Sequence, residues 1–208
     1  MTYFPDRLFS DAGSYASEYF QRMAVAAATI DPSAIAAAGK LIAEATDNGK
    51  RIYSCGNGGS AAIANHLVCD CLKGVRNGTA IRPKVYSLSS TIELMTAIVN
   101  DIGTEEMFSF QLESLGEVGD LLITISSSGA SPNIVRVLEL AKQMGMRTIA
   151  MSGFAGGASR QIADVSLHVD CTNYGIIEDL HQSLMHILAQ YTRHSHLEDS
   201  SQLGTLKF

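Results

Sequence analysis

Basic residues never occur in a run longer than two, and the 15 Lys and Arg are outnumbered by 21 Asp and Glu, for a formal charge of −6. A chain without clustered cations has no electrostatic footprint for a nucleic-acid backbone, and no nucleic-acid partner is expected. Cysteine is scarce: Cys55, Cys69, Cys71 and Cys171. Cys69-x-Cys71 is tighter than the C-x-x-C of zinc sites, and no second pair follows it. Few thiols in a chain of this length point to reduced cysteines in the cytoplasm. No apolar stretch reaches 18 residues, so no membrane span is expected. Met1 to Arg7 lack the basic start and apolar run of an export signal. Internal repeats and low-complexity linkers are also missing. Neither G-x-G-x-x-G nor a Lys-containing phosphate loop is present, which speaks against nucleotide binding.

What is present is 208 residues, 46% hydrophobic and 17% charged, enough for one domain with a sizeable core. From about Ser10 to Asn48, Met23, Ala24, Ala27, Ile30, Ile35, Leu41 and Ile42 recur at helical spacing. Asp31-Pro32-Ser33 breaks this run into two helices, with Asp as cap and Pro in the first turn. Strands are predicted at Arg51–Ser54, Lys84–Ser87, Leu121–Ser126, Arg147–Met151 and Val165–Val169. Helices are predicted at Ser60–Leu72, Thr91–Val99, Glu105–Leu115, Ser131–Met144 and Ile176–Arg193, with a polar, frayed tail from His194. Most of these strands are continuous apolar runs, as in a parallel sheet covered on both faces. The expected architecture is therefore an α/β three-layer sandwich: a five-stranded, flavodoxin-like parallel sheet with ligands at the carboxyl ends of its strands. The two N-terminal helices are surplus to that sheet, and their small residues at Ala26–Ala28 and Ala36–Ala38 suit packing against another subunit.

Two loops follow strand ends. Gly56-Asn57-Gly58-Gly59-Ser60 reads either as a tight turn with Ser60 capping the next helix or as an anion cradle at a helix N-terminus. Ile125-Ser126-Ser127-Ser128-Gly129-Ala130-Ser131 is the stronger signal. It brings four hydroxyls and several backbone N–H groups together with no carboxylate, which is what a phosphate monoester needs. Helix capping accounts for Ser131 with Pro132, but not for three further serines directly after a buried strand.

G-N-G-G-S before a helix, with I-S-S-S-G-x-S at the next deep strand end, resembles the sugar isomerase (SIS) domain and, within it, the sedoheptulose 7-phosphate (phosphoheptose) isomerases. The resemblance runs over nearly the whole chain, including Val99-Asn100-Asp101 and the last helix. It implies one SIS domain over residues 1–208: N-terminal helices for oligomer packing (1–48), an α/β core (49–193) and a polar tail (194–208). It also implies a homotetramer acting on a sugar phosphate.

His66 and Asp70 are four residues apart and share a helix face. Glu178 and His186 are eight apart on the last helix and project within about a right angle of each other. A His/carboxylate pair on each of two helices suits zinc, and it equally suits a proton shuttle. In the phosphoheptose isomerases the metal set is His, Glu, Gln, His. His66 and His186 match its histidines, Asp70 stands for the Glu, Glu178 stands for the Gln, and Gly175 falls near a family Asp. The resemblance therefore implies one zinc per subunit on His66, Asp70, Glu178 and His186, with Asp70 as catalytic base and His186 as acid. Asn57, Gly58, Gly59, Ser60, Ser126, Ser127, Ser128 and Ser131 would enclose the phosphate. Asn100 and Asp101, placed in a loop, would hold sugar hydroxyls together with Glu178. The implied activity is aldose–ketose isomerisation of sedoheptulose 7-phosphate for surface-polysaccharide heptose. The alternative is a non-catalytic SIS module, either a sugar-phosphate sensor or a partner of a replication initiator. His168 reads as structural and the methionines as core filler.

Overall fold

The computed structural model describes residues 3–205. Asp11 caps α1 (Ala12–Ala27) by accepting from Ser14 N, and Asp31 caps α2 (Pro32–Asp47) by accepting from Ser33 N. Then come β1 (Arg51–Gly56), α3 (Gly59–Cys69) with a π-helical turn at Asp70–Gly74, β2 (Lys84–Ser87), α4 (Ile92–Asp101), α5 (Ser109–Leu115) and β3 (Leu121–Ser126). The chain closes with α6 (Pro132–Gln143), β4 (Arg147–Ser152), the short α7 (Ser159–Ile162), β5 (Val165–His168) and α8 (Tyr174–Ser195).

The five strands are all parallel, in the order β2-β1-β3-β4-β5. That is the flavodoxin-like order expected from the apolar strand runs. Side chains alternate across the sheet. Ile52, Leu121, Ile123, Ile125, Ile149, Met151 and Leu167 meet α2, α3 and α8 through Leu41, Ile63, Leu67, Ile177, Leu180 and Leu184. Tyr53, Cys55, Leu122 and Ala150 meet α5 and α6 through Leu112, Ile134, Val137 and Leu138 on the other face. Burying each of the larger aliphatic side chains contributes about 1.5–3 kcal/mol, and these two layers fix where the strand ends point. No single helix among the described residues is long and apolar enough to cross a membrane.

Four expectations change. Asn100 and Asp101 form the last turn of α4 rather than a loop, because nothing before Gly103 interrupts the helical run. The tail does not fray at His194. Instead α8 continues to Ser195, His196 Nε2 lies 3.1 Å from Asp47 Oδ1, and Leu197 bridges Thr79. Ala26 and Ala38 are buried in the chain's own core rather than held for a partner, while Ala27, Ala28, Ala36 and Ala37 are exposed. The short α7 was not foreseen, since its four residues carry too little periodicity to register.

Candidate active site

Both loops lie at the carboxyl ends of adjacent strands. β1 delivers Gly56-Asn57-Gly58 to the start of α3, and β3 delivers the serine loop to the start of α6. Gly58, not Ser60, is the residue before α3, and Ser60 is buried inside its first turn. Ser131 sits at the N-cap of α6, but its hydroxyl makes no capping bond and lies 3.5 Å from Ser126 Oγ. Capping therefore does not account for Ser131. Ser128 is half-buried and accepts from Ala130 N at 3.3 Å. Ser127 differs from the others: its hydroxyl is buried without a hydrogen-bond partner, and its carbonyl accepts from Gly153 N at 2.8 Å.

The serine loop is held from a direction the sequence did not suggest. Gly129 has φ +62°, and a Cβ there would lie 2.0 Å from the Gly156 carbonyl oxygen. Ser159 donates to Gly129 O through both its N (3.0 Å) and its Oγ (2.8 Å). The loop after β4 therefore lies directly on the serine loop, backbone against backbone.

The expected His/carboxylate groups come together in part. Asp70 Oδ1 is 3.3 Å from His66 Nε2, and Asp70 Oδ2 is 3.7 Å from His186 Nε2, so each carboxylate oxygen faces one ring. Donor atoms of His66, Asp70 and His186 all fall within 4.8 Å of one another. Two imidazoles and a carboxylate are donor types that zinc accepts. Gln182, passed over in the sequence, joins them: its Nε2 donates to His186 Nε2 at 2.9 Å and faces His66 Nδ1 at 3.4 Å. Its spacing of four from His186 was the available signal.

Glu178 stands apart from that triad. Its carboxylate lies over Gly59 at the start of α3, where a Cβ would come 2.5 Å from Oε2. A carboxylate there meets the positive end of the helix dipole. Asn100 donates to Asp101 Oδ1 at 2.6 Å. Among the described residues, neither hydrogen-bonds to a loop or to the triad. His168 Nδ1 is 3.1 Å from Ser152 Oγ, a structural contact as expected. Of the cysteines, Cys69 is exposed and Cys71 buried, and all four are free.

His181, between Glu178 and Gln182, is fully buried, with both ring nitrogens unpartnered. Burial lowers its pKa to about 4; the Ser152 backbone and His168 lie nearby. The folded state thus binds fewer protons than the unfolded chain between pH 6.5 and 4, so stability falls as pH drops through that window, by up to about 1.4 kcal/mol per pH unit from this group. His181→Leu should flatten that slope, because no group at this position then takes up a proton on unfolding. Urea titrations at pH 5 and pH 7 check this. An unchanged slope would show that His181 does not control it.

With this geometry in place, relatives can be compared. Residues 14–153 match the model of the SIS domain, a span that ends before α8 and its Glu178, Gln182 and His186. The chain is 39% identical over 154 residues to the phosphoheptose isomerase of Geotalea daltonii, covering 74% of this chain and 80% of that one. It is 38% identical over 148 residues to that of Nitratidesulfovibrio vulgaris, covering 70% of each. In three dimensions it superposes on a phosphoheptose isomerase from Francisella tularensis with a TM-score of 0.81 at 30% identity, covering 88% of this chain and 96% of that one. With the family model matched over residues 14–153 and a relative 39% identical over 74% of the chain, the chain belongs to the SIS-domain family, in its phosphoheptose isomerase branch.

Proposed function

We propose that this chain is an aldose–ketose isomerase that converts sedoheptulose 7-phosphate to an aldoheptose 7-phosphate, for the heptose of surface polysaccharide. The observation that carries the reading is Asp70 set between His66 and His186 on two helices, with an anion-binding loop at the neighbouring strand end. His66 lies about 10 Å along α3 from Gly59. A phosphosugar spans such a distance, and a free phosphate does not. The phosphate belongs in the serine loop, with the hydroxyls of Ser126, Ser128 and Ser131 and the dipole of α6 as its donors. Ser127 contributes backbone. The Glu178 carboxylate lies against Gly59 at the start of α3, and the first loop, with Asn57, Gly58, Gly59 and Ser60, meets sugar hydroxyls. Asn100 and Asp101 serve the same end from a neighbouring subunit.

The chemistry moves a proton between adjacent carbons. Asp70 takes a proton from C1 as the C1–C2 double bond forms, and protonated His186 gives one to the carbonyl oxygen at C2, leaving an enediol. Asp70 then returns the proton to C2, and the C1 hydroxyl gives its own to the now neutral His186, which leaves the aldehyde and restores both groups. His66, Asp70 and His186 are the residues that would hold a zinc ion, with Glu178 too far to one side in this arrangement. When bound, zinc supplies a Lewis acid for the carbonyl. It competes with Asp70 acting as base, since ligation lowers carboxylate basicity.

We also propose that residues 1–208 act as one SIS domain in a cytoplasmic homotetramer. α4 buries only Ile98 and leaves Ile92, Leu94 and Val99 exposed, beside exposed Ile102. That is an apolar face suited to a second copy, and α1 adds exposed Phe20 and Val25. Incubation with sedoheptulose 7-phosphate, with and without added zinc, should yield the aldose by NMR, on protein whose light-scattering mass is four times the 22.2 kDa of one chain. Binding without turnover under both conditions would make the chain a sugar-phosphate binding module instead.

A further inference from the structure

Asn133 has no obvious task. It is the second residue of α6, past the capping position, and only 4% of it is exposed. Burying a carboxamide costs free energy unless its hydrogen bonds are met. They are met by one residue 76 positions away. Asn57 Nδ2 donates to Asn133 Oδ1 at 3.0 Å, and Asn133 Nδ2 donates to Asn57 Oδ1 at 2.9 Å. Among the described residues, this reciprocal pair is the only side-chain hydrogen-bonded link between the first loop and the serine loop with its helix, beyond the β1–β3 ladder that ends at Gly56 and Ile125.

A closed pair of amides does two things. It ties the first loop to the start of α6 side chain to side chain, in addition to the contacts that seat each loop separately: Ser89 on Gly56, and the loop after β4 on the serine loop. It also fixes the orientation of Asn57, whose amide nitrogen has two hydrogens. One is committed to Asn133, and the other points away from it, free for a ligand. Turning either amide by half a turn would set oxygen against oxygen and nitrogen against nitrogen.

We propose that Asn133 is a positioning residue. Without touching the substrate, it aims Asn57 and holds the first loop at the distance from the serine loop that one phosphosugar bridges. The inference rests on the phosphosugar reading above. Its energetic signature is in binding, since the loops are set before any proton moves.

The test uses sedoheptulose 7-phosphate, with affinity by calorimetry and rate by turnover. Asn133→Asp keeps the size of the side chain but sets a carboxylate oxygen against Asn57 Oδ1. It should raise Kd and KM by about 10–100-fold, the cost of an unmet, opposed polar pair, with kcat within about threefold because the triad is untouched. Asn133→Ser repeats the measurement at smaller cost to folding, with a smaller rise in the same direction. The double variant Asn57→Ala/Asn133→Ser should bind no more weakly than Asn57→Ala alone, because the pair acts as a unit. Wild-type affinity in both Asn133 variants, additive losses in the double variant, or a loss confined to kcat would overturn the proposal. Wild-type protein that binds no sedoheptulose 7-phosphate would overturn the phosphosugar reading and this inference with it.

Discussion

Asp70→Asn and His186→Ala should each lower turnover of sedoheptulose 7-phosphate by about 10²–10⁴-fold, the range in which a positioned acid or base contributes. Asp70→Asn preserves shape. It removes the lone-pair basicity needed to take a carbon-bound proton, together with the charge that faces both imidazoles at 3.3 and 3.7 Å. His186→Ala removes the proton donor and leaves the Gln182 amide without its 2.9 Å partner. Neither change touches the serine loop, so calorimetry should return an affinity for the sugar phosphate within a few-fold of wild type. The separation of rate from affinity is the informative result. Loss of both would mean that the triad holds the substrate rather than transforming it. Near-normal turnover in either variant would remove that residue from the reaction.

Gly129→Ala should abolish phosphosugar binding, a loss of more than about 100-fold in affinity, or about 2.7 kcal/mol. Two costs coincide there. A Cβ at φ +62° is strained in any L residue, by about 1–2 kcal/mol. It would also meet the Gly156 carbonyl oxygen at 2.0 Å and its carbon at 2.6 Å. Backbone cannot rotate out of the way as a side chain does, so the serine loop must leave its seat, taking Ser126, Ser128 and Ser131 with it. Gly145→Ala separates the two costs. Gly145 has φ +72°, but its nearest neighbour is a Val118 methyl at 3.5 Å, an ordinary contact. That variant should lose the strain energy in a urea titration and keep its affinity. Equal behaviour of the two variants would mean that the Gly129–Gly156 contact does not hold the loop.

Much of this architecture is legible along the chain, because the information is local. Largely apolar runs at Leu121–Ser126 and Arg147–Met151 mark buried parallel strands. Asp31-Pro32 divides the first two helices, and the strand–loop–helix alternation places both loops at one end of the sheet. The i, i+4 spacing of His66 and Asp70 puts both on one face of α3, with no knowledge of what α8 brings to them.

Which groups meet across the fold is a different matter. Asn57 and Asn133, or Gly129 and Gly156, are joined because β1, β3 and β4 lie side by side, and no periodicity within a segment encodes a partner in another. The same holds for α8. Sequence spacing puts Glu178 within reach of the His186 face, yet the rotation of α8 against α3 sends its carboxylate to Gly59 and brings Gln182 between the histidines. Ser127 shows the limit at a single residue: as sequence it is one of four equivalent hydroxyls, but in the turn after β3 its hydroxyl is buried and unpartnered while Ser128 is half-buried and accepts from Ala130 N. The sequence alone determined the order of elements, the two loops and the residue types from which a phosphosugar site is built. The tertiary structure decided which of those side chains face one another, because helix rotation and strand adjacency are set by the packing of the two apolar layers, not by any one segment.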